Sequence, residues 1–196
     1  MLETIISVCL GIGLAASAGF RVFVPLFVLS LATHFGYVPV GDSFAWIGSL
    51  TAIICLGIAT VIEILAYYIP YVDHLLDTAA IPLSTVAGSV LFSSQFADLG
   101  TFPQWVLAII AGGGTAATIS SGFAGIRAAS TATTGGAGNF IVGSTETAGA
   151  GFMTMISMLA PFFAALLSII LVVLMIVGGR KIMRKISSRT TVKNET

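Results

Sequence analysis

Charge is what this sequence has least of. Lysine, arginine, aspartate and glutamate make up 8% of the 196 residues, against 57% hydrophobic residues and a mean hydropathy of +1.06. A soluble domain carries roughly 25% charged residues to hydrate its surface, so a water-exposed globular domain is excluded. A lipid-facing surface has no such need. Cysteine is nearly as scarce. Cys9 and Cys55 both lie in apolar segments, so neither a disulfide framework nor a zinc site is expected, and no metal or cofactor is inferred. The start also lacks a positive flank: Met1-Leu2-Glu3 is not the basic opening of a secretory signal, and the apolar run continues past Leu14-Ala15-Ala16. It reads as a retained first helix. Nucleophile–base constellations, Walker loops and dinucleotide-binding glycine patterns are missing as well. The chain is therefore not read as an enzyme.

What is present reads as an all-α polytopic membrane bundle with broken or re-entrant helices. At about 20 apolar residues per crossing, the length leaves room for roughly five to seven spans. Residues 1–179 form one transmembrane domain and 180–196 a basic tail. Six of the eight basic residues fall in that tail (Arg180, Lys181, Arg184, Lys185, Arg189 and Lys193). By the positive-inside rule the tail is expected to be cytoplasmic, in a bacterial inner membrane. Its abutment on a span argues against nucleic acid as a partner. The expected partners are the bilayer, a small cation or solute, and either further copies of the chain or a membrane complex.

Apolar stretches run over 2–20, 22–35, 44–69, 81–97, from 105 into a small-residue tract, and over 152–177. The last reads as one apolar helix interrupted only by Pro161. Pro25, Gly36 and Pro39 make the second either half-length or the remainder of a long broken helix. Residues 128–142, dominated by Ala, Thr and Gly, either cross or re-enter. Ala16-Ser17-Ala18-Gly19-Phe20-Arg21 echoes Ser121-Gly122-Phe123-Ala124-Gly125-Ile126-Arg127. A repeat over about 1–98 and 99–179 is a candidate, inverted or parallel according to whether the following segments cross.

Charges inside apolar stretches are costly and mark candidate function. Glu63, Asp73 and Asp77 flank Pro70, whose missing amide breaks a helix. With Asn139 and Glu146 they are the candidate ion or solute pathway. Arg21 and Arg127 are the only cations of residues 1–179, and are expected to pair with Glu63 or Glu146 as counter-charges. Four acids against two arginines leave two surplus negatives, which favours a cation or proton. The leading expectation is a small transporter or channel-like protein. The alternatives are a non-catalytic assembly subunit and a lipid-binding membrane protein.

Ala18-Gly19-Phe20-Arg21, the run Glu63…Pro70…Asp73…Asp77, Arg127-Ala128-Ala129-Ser130, Gly136-Ala137-Gly138-Asn139 and Ser144-Thr145-Glu146 together resemble a family of small multi-spanning bacterial and plastid membrane proteins, the domain of unknown function numbered four-one-two-six. The resemblance covers nearly the whole chain and implies a compact multi-spanning protein, without an established activity. The family often carries an acid and a lysine just before the proline; here Tyr67 and Tyr68 stand there, so any role of that ion pair is absent or altered.

Overall fold

The computed structural model describes the backbone of residues 1–96 and 100–193, and the side chains of 1–69, 76, 78–96 and 100–181. The candidate residues Asp73 and Asp77 lie outside the described side chains. The protein is an all-α bundle: α1 (Leu2–Phe20), α2 (Phe23–His34), a 3-10 segment (Asp42–Gly48), α3 (Leu50–Ala66), α4 (Pro70–Ser93), α5 (Thr101–Leu107), a π-helical turn (Ala108–Gly113), α6 (Gly114–Thr134), α7 (Asn139–Leu159) and α8 (Pro161–Lys193).

Among the described residues three helices are long and apolar enough to cross a membrane: Leu2–Phe20, the continuous Thr101–Thr134, and Pro161–Lys181. The count is four if the bent pair Asp42–Gly48 and Leu50–Ala66 is one span. These features are compatible with an integral membrane protein; among the described residues, which leave out the side chains of 70–75 and 77 in α4, they number fewer than the five to seven crossings expected from length. The difference lies in polarity and breaks. α7 has 21 residues but carries Glu146 and a run of small polar residues. α2 has 12 residues, about 18 Å at 1.5 Å per residue, and cannot span roughly 30 Å of hydrocarbon.

The breaks follow local chemistry. α1 ends where Arg21 turns extended (φ −144°, ψ 131°), and Pro70 and Pro161 each open a helix, where a missing amide costs nothing. The stretch 152–177 is thus two helices: Ala160 before Pro161 is driven out of the helical region (φ −143°). The stretch 44–69 is likewise not one straight helix. It bends by 64° at Ser49, whose Oγ accepts from Ala52 N at 3.1 Å and starts α3 afresh. Residues 128–142 are not one segment but the end of α6, a turn and the start of α7. α6 continues to Thr134, Gly135 (φ +65°) and Gly136 (φ +95°) close it, and α7 begins at Asn139.

α1 is the axis, packed against α4, α6, α7 and α8. Leu14 and Ala18 of α1 share a buried cluster with Leu29, Ile47, Leu91 and Ala116. α4 and the π turn approach through glycine: a Cβ on Gly88 would lie 2.8 Å from Gly112 O, so small residues set the spacing. Many outward-facing positions of α3 and α8 are aliphatic or aromatic, including Ile54, Ile58, Ile62, Phe163, Leu166 and Leu174.

Candidate functional site

Two arginines and two glutamates from four helices or helix junctions meet beside α1. Arg21, at the α1–α2 break, is 1% exposed. Its Nη2 donates to Gly143 O at 2.9 Å and its Nε to Thr147 Oγ1 at 3.2 Å. Glu146 Oε2 lies 3.7 Å from Nη2. Residues 143, 146 and 147 fall on one face of α7, so this helix offers Arg21 a carbonyl, a carboxylate and a hydroxyl together. Gly143 permits the approach, since a Cβ there would sit 3.3 Å from Arg21 Nη2. The remaining Nη1 meets no acceptor among the described residues.

Arg127, from α6, forms a two-pronged pair with Glu146. Nε donates to Oε1 at 3.1 Å, and Nη2 donates to Oε2. Such forks are the strongest arrangement of this ion pair. Glu146 is 0% exposed, and only paired charge is tolerated at such depth.

Glu63, in the last turn of α3, takes a different partner from the expected arginine. Its Oε1 accepts from Val22 N at 2.8 Å and its Oε2 from Phe23 N at 3.0 Å. The opening amides of a helix have no partner within it, and its N-terminus attracts negative charge. Val22 supplies no side-chain cap of its own. A carboxylate reaching over from α3 therefore caps the half-length α2. Among the described residues, Glu63 forms no ion pair with a cationic side chain.

Tyr67 joins the two halves. Arg21 Cζ lies 3.8 Å and Arg127 Cζ 4.1 Å from its ring centroid, within the range of cation–π attraction. It stands at a position where the resembled family often carries an ion-pairing residue, and it here meets both guanidiniums. A cavity of about 220 Å³ adjoins Glu63 and Tyr67.

Of the candidate residues, Arg21, Arg127, Glu63 and Glu146 are brought together. Asn139 is used in the α6–α7 turn, where its Nδ2 donates to Thr131 Oγ1 at 3.0 Å. The described cluster holds two positive and two negative charges. The two further acids on which a cation preference rested, Asp73 and Asp77, lie outside the described side chains. Tyr67 was missed because an aromatic ring in an apolar helix ordinarily signals core packing; the departure from the family pattern was the one available signal.

Helices of this length and polarity, broken around a buried ionic cluster, define a polytopic bundle of the membrane type. A family model described as "Domain of unknown function (DUF4126)" matches residues 8–181. The chain belongs to that family. Neither a curated protein nor a solved structure matches it.

Proposed function

We propose that this is a small membrane transport protein in which proton uptake at Glu63 is coupled to movement of α2. The observation that carries the reading is the cap itself: one carboxylate holds both opening amides of a half-length helix. An ionised Glu63 accepts two charge-assisted bonds, whereas a protonated one loses much of that strength and acquires a donor that neither amide can use. Protonation would thus release α2, an element too short to be fixed by spanning the bilayer. Broken helices with their N-termini at an interior anionic group recur in secondary transporters. Arg21 and Arg127, locked on Glu146 and Tyr67, would keep the site charge-balanced. The donor left on Arg21 Nη1 offers a place for water or a polar solute group. The reading is not enzymatic.

The test is flux in proteoliposomes under a pH gradient. The natural protein should dissipate the gradient, and Glu63→Gln, verified as folded by gel filtration and thermal unfolding, should lose that activity by about tenfold or more. Equal rates for the two proteins, or no flux from a folded natural protein, would reject it. A second reading, an assembly subunit, is favoured by the saturation of Glu146, a static staple between α6 and α7. Under that reading Glu63→Gln is silent in flux and a stoichiometric membrane partner co-purifies.

A further inference from the structure

The cavity beside the cluster lies among α2, α3 and α4. Among the described residues its walls apart from Glu63 and Tyr67 are apolar, with Val22, Ala59, Ile62 and Leu83 among them. The body of any occupant must therefore be hydrocarbon. A cavity of 150 Å³ accommodates benzene, so about 220 Å³ suits a fragment of roughly nine non-hydrogen atoms, with any further chain left outside. The route of entry is also marked. Ile62 and Leu83 are 61% and 45% exposed, and Ile62 continues an outward stripe of Ile54, Ile58, Val61 and Leu65 on α3. Such a stripe faces hydrocarbon rather than water, so the occupant arrives from the bilayer.

Its head is set by Glu63, 6% exposed. An ionised carboxylate only accepts hydrogen bonds and has about four lone-pair positions. Val22 N and Phe23 N use two of them. The head must then be a donor. Charge narrows it further. Within the described cluster Arg21 and Arg127 balance Glu63 and Glu146, so an ammonium head would leave a net charge there, and an anionic head would face Glu63 directly. Both are penalised away from water. We propose that the cavity binds a neutral, membrane-dissolved lipophile with a hydroxyl head (a lipophilic alcohol or phenol) whose O–H donates to the Glu63 carboxylate while its hydrocarbon fills the pocket.

Photolabelling of the full chain in nanodiscs tests this without any gradient, so its outcome is separable from that of the transport reading. Three diazirine-bearing alkyl probes of matched length are used: an alcohol, an amine and a carboxylic acid. The alcohol should label residues lining α2, α3 and α4 saturably and be displaced by unlabelled 1-decanol. Labelling should fall by about tenfold in Ala59→Phe and in Ala80→Phe, which fill the pocket from two different helices. Both variants are checked by thermal unfolding, and the 1-decanol competition on the natural protein stands if either fails to fold. Non-saturable labelling over the outer surface would overturn the proposal. So would undiminished labelling in a folded Phe variant, or amine or acid labelling the site as strongly as the alcohol.

Discussion

At the scale of single residues, the cluster ranks the consequences of substitution. Glu63→Ala leaves Val22 N and Phe23 N without acceptors in a buried place, and should cost about 2–4 kcal/mol of stability, given 1–3 kcal/mol per unsatisfied buried group. Unfolding in mixed detergent micelles measures it. Arg127→Met should cost more, about 3–5 kcal/mol, because Glu146 then loses its two-pronged partner while the contact to Arg21 is longer, at 3.7 Å. Combining it with Glu146→Leu removes both charges, so the double variant should be more stable than Arg127→Met alone. A double variant as unstable as the sum of the two singles would show that the fork contributes no coupling. Tyr67→Leu deletes the ring that both guanidiniums face and should cost about 1–3 kcal/mol, while Tyr67→Phe should retain most of it. Arg21, Glu63, Arg127 and Glu146 were legible in the sequence because a charge in an apolar run stands out. Pairing of the arginines with Glu63 or Glu146 was expected and falls on Glu146; the partner of Glu63 was not legible, because it is the backbone of residues 22 and 23 and backbone amides leave no trace in residue types.

At the scale of elements, the breaks matter more than the helices. Those at Arg21, Pro70 and the Gly135–Gly138 turn were readable, since proline, glycine and a lone charge all interrupt apolar runs. The break at Ser49 was not. One serine in an apolar stretch reads as a tolerated hydroxyl until its Oγ is seen on Ala52 N. The small-residue tract was misleading in the opposite direction, because its helices persist on either side of four turn residues. Gly135 adopts φ +65°, where a Cβ costs roughly 1–2 kcal/mol. Gly135→Ala should therefore destabilise by about 1 kcal/mol, whereas Gly125→Ala should be neutral or stabilising, since nothing would meet its Cβ and alanine is the better helix former. Paired unfolding curves test the contrast, and equal destabilisation by the two would contradict the assigned role of the turn.

At the scale of the molecule, the fold bears on which charges are free to act as topological signals. Net charge is zero, yet the positive residues are not all available to act as topological signals. Arg21 and Arg127 are 1% and 4% exposed, and both are committed to Glu146. Every remaining lysine and arginine lies at or beyond Arg180, immediately after the apolar part of α8. No other loop offers a competing positive flank, so the positive-inside bias rests on this tail alone. The expected consequence is unusual dependence of topology on one segment. In a Cys9→Ser, Cys55→Ser background, Ser188→Cys should be inaccessible to a membrane-impermeant maleimide in intact cells and react once the cytoplasmic face is opened. Exchanging all six tail cations for glutamine should yield a mixed population labelled from both sides. The buried cluster cannot supply the lost bias, because its two arginines are neutralised inside the bundle. Labelling of Ser188→Cys from outside intact cells would place the tail on the opposite face and remove the basis for a cytoplasmic C-terminus.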